Sequence, residues 1–119
     1  MKILTEPPYE YKVIVKKCFD ADTILADVDL GHYVWLKDVK YRLYGINAPE
    51  TRTSDPAEKA RGMASKEFLR NLIEGKEVII KVFKKQEKYG RFLAIIYANG
   101  VCVNDLLLKK GLAKENFYE

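Results

Sequence analysis

The chain has 119 residues, 48% of them hydrophobic, which suits one domain with its own core. No apolar stretch is long enough to span a membrane, and the opening MKILTEPPYE has too short an apolar run for a secretory leader, so the protein is expected to stay inside the cell that makes it. The net charge of +4 is compatible with a polyanionic partner, whereas a single histidine, His32, excludes chemistry that needs two histidines in one chain and, with only Cys18 and Cys102 beside it, a structural zinc site.

Residues 1–8 read as a flexible arm ended by Pro7-Pro8, and 9–119 as the folded domain. Tyr9 to Phe19 alternates and is rich in Val, Ile and Tyr, which predicts a strand. Asp22 to Val28 is a second strand, and Leu30-Gly31 the turn after it. Tyr33 to Leu36 and Val39 to Ile46 are further extended segments, interrupted at Lys37-Asp38. Asn47 to Asp55 is a loop. The period then changes: Ala60, Met63, Ala64, Phe68, Leu72 and Ile73 fall at helical spacing over 56–73. Asp55 is placed to cap that helix, Pro56 to start it and Gly75 to stop it. Glu77 to Phe83 is a strand and Lys84 to Gly90 a charged loop. Arg91 to Ala98 is a strand, and Asn99-Gly100 a hairpin turn leading to Val101–Val103. Asn104 is placed to cap a short helix closed by Gly111. Five principal strands with a helix after the third fit a mainly β fold, a five-stranded OB-type barrel with two helices. Both cysteines read as buried free thiols, and Trp35 and the phenylalanines as core; His32 reads as structural or exposed.

Four segments have residues suited to chemistry, and each has a plain alternative. Asp20 and Asp22, two apart in extended chain, can turn two carboxylates to one point, as a hard cation requires, or can simply form a polar turn. Arg42 is a lone charge in an apolar strand: either it faces solvent, or it is aimed into a cleft where its fork can grip a phosphate. Asn47-Ala48-Pro49-Glu50 is an ordinary loop, or a source of oxygen ligands with a carboxylate that accepts a proton from water. Glu87-Lys88-Tyr89-Gly90-Arg91 is a solvated charge run, or a basic-aromatic lip that attracts phosphate.

Three blocks join these segments: Asp-Ala-Asp-Thr at 20–23, Arg-Leu-Tyr-Gly-Ile-Asn-Ala-Pro-Glu at 42–50, and Lys-Tyr-Gly-Arg-Phe-Leu-Ala at 88–94, followed by Val103-Asn104 and Gly111-Leu112-Ala113. In this order and spacing the chain resembles the staphylococcal nuclease (thermonuclease) family from about residue 10 onward. The resemblance implies an OB-type barrel and calcium-dependent cleavage of DNA and RNA phosphodiesters. Carried over by position, Asp22, Asn47 and the backbone carbonyl of Ala48 are the implied metal ligands, with Asp20 acting through water. Glu50 is the implied base for the attacking water. Arg42 and Arg91 are the implied phosphate grips, and Lys88 and Tyr89 hold a neighbouring phosphate.

Three departures from the family stand in the sequence. Ala21 replaces the usual Gly between the aspartates. Asn47 replaces a metal-binding Asp, which weakens calcium binding or shifts the preference to another divalent ion. The chain ends at Glu119, where family members commonly continue into a further helix. The expectation is a monomeric nuclease acting on single-stranded DNA or RNA with little sequence preference and no membrane attachment. The alternative is a weakened or inactive nucleic-acid-binding module; the presence of Arg42, Glu50 and Arg91 favours the enzyme.

Overall fold

A computed structural model describes residues 7–116, apart from Lys88 and the side chain of Lys85. The expected arm therefore lies outside the described residues except for Pro7 and Pro8. The elements are β1 (Tyr9–Asp20), β2 (Thr23–Asp29), β3 (Trp35–Leu43), β4 (Ile46–Asn47), α1 (Pro56–Ile73), β5 (Glu77–Gln86), β6 (Phe92–Ala98), β7 (Val101–Cys102), α2 (Val103–Lys109) and β8 (Lys114–Glu115). No helix among the described residues is long and apolar enough to cross a membrane.

Alternation builds the barrel wall. In β1, Val13 and Val15 are buried while Lys12, Ile14 and Lys16 are exposed, so one face turns to the core. β1 pairs antiparallel with β2 on one side and β5 on the other. β3 continues from β2, and β6 from β5, both antiparallel. β3 and β6 then pair in parallel, with Tyr41 opposite Phe92 and Leu43 opposite Ala94. This last pairing closes β1-β2-β3-β6-β5 into the expected mixed barrel, and closure removes the exposed sheet edges. Ile24, Leu43, Ile80 and Ile96 fill the interior, and α1 adds Leu69 and Ile73, all fully buried.

Helix α1 is fixed at both ends by the expected residues. The Asp55 carboxylate accepts from the Ala57 amide at 3.0 Å, and Pro56 opens the helix. Past its end, Gly75 adopts φ 78°, and its amide donates to the Val15 carbonyl at 2.7 Å. The Glu74 carboxylate accepts from the Cys18 amide at 3.0 Å, next to a bulge in β1. Burial pushes the Cys18 thiol up to about 12, and the Glu74 charge acts in the same direction.

Several expectations are corrected. Lys37-Asp38 does not break β3; it forms a bulge, with Asp38 at φ 57° and its amide donating to the Asp27 carboxylate at 3.0 Å. β3 starts only at Trp35, because His32 and Tyr33 take left-handed φ values in the preceding loop. Strand β5 runs on to Gln86, shortening the charged loop. Trp35 is 40% exposed, not core, and Cys102 is only half-buried. Two short strands were not foreseen: β8 pairs with β4, setting Lys114 opposite Asn47.

Asn104 is not a cap. Cys102 occupies the cap position, and Asn104 lies inside α2, 4% exposed. Its Oδ1 accepts from the Ile96 amide at 3.0 Å, and its Nδ2 donates to the carbonyls of Tyr44 at 2.8 Å and Ala94 at 3.2 Å. One amide thus joins α2, β6 and the turn after β3. Truncation in Asn104→Ala removes the side-chain acceptor of the buried Ile96 amide and two further hydrogen bonds, and should lower unfolding free energy by about 1–3 kcal/mol, as read by urea denaturation.

Candidate active site

The site grows from the shortest turn in the barrel. Asp20 and Thr23 pair across the β1–β2 hairpin, leaving Ala21-Asp22 as its tip. Ala21 is fully buried and does not appear among the residues with positive φ. The turn therefore needs no glycine, and the Ala21 methyl packs into the core instead.

Both aspartates reach the loop that follows β4. Asp20 Oδ1 accepts from the Thr51 hydroxyl at 2.7 Å and from its amide at 3.4 Å. Asp22 is 8% exposed; its Oδ2 accepts from the Ala48 amide at 2.8 Å and its Oδ1 from the Thr23 hydroxyl at 3.1 Å. The backbone carbonyl of Asp22 accepts from the Leu43 amide at 2.8 Å, which ties the hairpin tip to the end of β3.

Arg42 faces this cleft, not solvent, and is 8% exposed. Its Nη1 lies 3.4 Å from Asp22 Oδ2 and donates to the carbonyls of Leu43 at 3.2 Å and Ile46 at 2.9 Å. Its Nη2 donates to Asn47 Oδ1 at 3.0 Å. A buried guanidinium is tolerable because acceptors surround it. Among the described residues, its Nε–H meets no acceptor.

Arg91 is held from below by Glu87. Nε and Nη2 donate to the two carboxylate oxygens at 3.0 and 3.1 Å, a bidentate pair. Arg91 Nη1 donates to the Thr23 hydroxyl at 3.2 Å. The Arg91 hydrogen bond holds the Glu87 carboxyl below the usual carboxylate range, opposed by burial. Glu87 Oε1 also accepts from the amides of Tyr89 and Arg91 at 3.0 Å, which shapes the loop. Tyr89 is 72% exposed, with the Arg91 guanidinium 5.6 Å from its ring centre. Lys88 lies outside the described residues.

Glu50 is exposed, and among the described residues its carboxylate has no hydrogen bond or ion pair. Its backbone is firmly placed. Its amide donates to Glu58 at 3.3 Å, and its carbonyl rests against Gly62 in α1.

The structure thus links Asp22, Arg42, Asn47, Ala48 and, through Thr23, Arg91 in one contact network, with Asp20 and Glu50 at its side on the hairpin and on the loop after β4. Sequence reasoning missed Thr23, which links Asp22 to Arg91; Thr51, which holds Asp20; Glu87; and Gly62. Only Glu87 had a usable signal, its four-residue spacing from Arg91. Among the described residues, no group of three or more His, Cys, Asp or Glu is assembled for a metal. Asp20, Asp22 and Asn47 offer oxygen donors, the type that suits a hard cation, and the oxygens of Asp22 and Asn47 already accept from Thr23, Ala48 and Arg42.

Residues 40–119 match the family described as staphylococcal nuclease homologue. The chain is 32% identical over 106 residues to the thermonuclease of Staphylococcus intermedius, covering 88% of this chain and 60% of that protein. It is 34% identical over 110 residues to the thermonuclease of Staphylococcus hyicus, covering 91% and 60%. It is also similar to a probable staphylococcal-like nuclease of Oryza sativa subsp. japonica, 36% identical over 83 residues, covering 70% and 23%. The chain thus spans about three fifths of the length of the two thermonucleases.

Gly62 gives a test of the loop's placement. A Cβ there would fall 2.7 Å from the Glu50 carbonyl carbon and 2.9 Å from the Pro49 oxygen. Gly→Ala inside a helix ordinarily stabilises by about 1 kcal/mol. Gly62→Ala is expected to reverse that sign and lower the melting temperature, because two backbone carbonyls must move.

Proposed function

Since the chain belongs to the staphylococcal nuclease family, we propose that it is a nuclease that hydrolyses phosphodiester bonds of single-stranded DNA or RNA with a divalent cation, calcium first among them. The observation that carries this reading is the chain of contacts that joins the two arginines through the hairpin tip: Arg42 lies 3.4 Å from Asp22, Asp22 accepts from the Thr23 hydroxyl, and that hydroxyl accepts from Arg91.

Arg42 and Arg91 grip the phosphate as charge builds on its oxygens. For Arg42 the donor is Nε, together with Nη2; for Arg91 it requires exchange of a Glu87 or Thr23 contact for phosphate. Glu50 accepts a proton from the attacking water as its oxygen bonds to phosphorus and the ester P–O bond breaks. Tyr89, with Lys88, holds the neighbouring phosphate. Asp22, Asn47 and the Ala48 carbonyl would hold the cation, and Asp20 would support it through water. When bound, that cation neutralises phosphate charge and activates the water. No element offers a shape for reading base edges in a major groove, which fits weak sequence preference.

Asn47 supports a second reading, a binding module with little catalysis. It gives the cation no charge, and its only acceptor atom already faces Arg42 at 3.0 Å.

Cleavage of single-stranded DNA and RNA with calcium, magnesium, manganese or chelator separates the two. The enzyme reading expects metal-dependent cutting that Glu50→Gln lowers by about 10²–10⁴ in kcat with the melting temperature unchanged. Absence of cutting with every metal, alongside a retained gel shift, leaves the binding module. Asn47→Asp adds a charged ligand and should lower the calcium concentration needed for half-maximal cutting. An unchanged calcium requirement would remove Asn47 from the metal site.

A further inference from the structure

A cleft of about 340 Å³ runs from the candidate site along the outside of the barrel. Asp20, Thr23 and Arg91 form its inner end, so it is continuous with the proposed scissile position. One wall is the outer face of the β1-β2-β3 sheet, and the other is Thr51-Arg52 and Lys66 of α1.

The sheet places the cations. Lys17 pairs with Leu25, and Leu25 with Lys40, so the two lysines stand in one row across three strands. Their ammonium groups lie 5.3 and 5.6 Å from the Phe19 ring centre. One ring therefore draws two like charges toward a shared place. Arg52 and Lys66 face them from the opposite wall. Among the described residues, none of these four cations has a carboxylate partner in an ion pair.

Two lysines elsewhere on the same strands are paired, whereas Lys12, alone on its part of β1, has no ion pair among the described residues. Lys16 pairs with Asp38 at 2.6 Å and Lys37 with Asp27 at 3.3 Å. The cleft thus concentrates positive charge that the protein leaves uncompensated, with Asp20 its one acidic wall residue. A narrow groove lined by one sign of charge focuses its field on an anion of matching shape.

We propose that this cleft binds the phosphate backbone of a single nucleic-acid strand beyond the scissile phosphate, through Lys17, Lys40, Arg52 and Lys66. This rests on the nuclease reading for its direction, since the strand enters the cleft from the catalytic end. It makes the protein favour substrates longer than a dinucleotide.

The test is binding, measured in chelator by fluorescence anisotropy of a labelled thymidine octanucleotide and of the dinucleotide over a range of salt. Lys40→Gln/Lys66→Gln is set beside Lys109→Gln/Lys110→Gln, two exposed lysines on and just past α2 with the same loss of charge. The cleft variant should bind the octanucleotide more weakly, and its plot of log K against log salt should be shallower by about 1.4, two single-strand phosphate contacts at about 0.7 each. Its affinity for the dinucleotide should change less than twofold. Equal slopes in the two variants, or an unmodified protein that does not bind the octanucleotide, would overturn the proposal. Absent cutting in metal would count against the nuclease reading alone, because the slopes are read without cleavage.

Discussion

The buried contact between Arg42 and Asp22 is the constraint around which the working end of this barrel is arranged. Both side chains are about nine tenths withdrawn from water, 3.4 Å apart. Desolvating two charges costs several kcal/mol per ion unless further hydrogen bonds complete their shells. Here the completing groups come from different parts of the chain: the Ala48 amide and Thr23 hydroxyl for the carboxylate, and the carbonyls of Leu43 and Ile46 with Asn47 Oδ1 for the guanidinium. The pair therefore locks the β1–β2 turn, the end of β3 and the start of the loop leading to Glu50 into one unit. A charge pair that builds the site in this way cannot be treated as purely catalytic, because the same atoms hold the loop in place.

Asn47 takes its meaning from that unit. Its side chain is placed by Arg42 and its backbone by the short ladder between β4 and β8. A neutral amide suits a position where a guanidinium already faces the single aspartate it contacts. In the proposed metal site the same neutrality would give a divalent cation fewer charges to attract it.

Charge is divided unevenly over the outside of the barrel. On the β2–β3 bulge, the Asp38 amide and the nearby lysines hold the Asp27 carboxyl below its ordinary range, and lysine charge there is met by aspartate. Around Phe19, among the described residues, Lys17 and Lys40 lie against the aromatic ring and have no carboxylate ion pair. The net charge of +4 is thus unevenly compensated along the outer face of this sheet, with lysine–aspartate pairs at the β2–β3 bulge and a cluster of cations around Phe19 and Asp20.

Much of this was legible in the chain. Alternation marked the strands, Asp55, Pro56 and Gly75 bounded α1, and the blocks at 20–23 and 42–50, with Arg91, marked residues that contact one another around Asp22. These features are local, set by side-chain period, backbone φ and neighbouring residues, so the sequence by itself determined the order of elements and the residue types available to the site. What it could not determine was which side chain meets which across long separations. Asn104 looked like a helix cap but bridges α2, β6 and the turn after β3. Gly62 carried no signal in the sequence but is where the Glu50 loop touches α1. Arg42 could have faced either way until barrel closure turned it inward toward Asp22. Such choices depend on the burial of polar groups, and burial exists only once distant strands have paired and the barrel has closed.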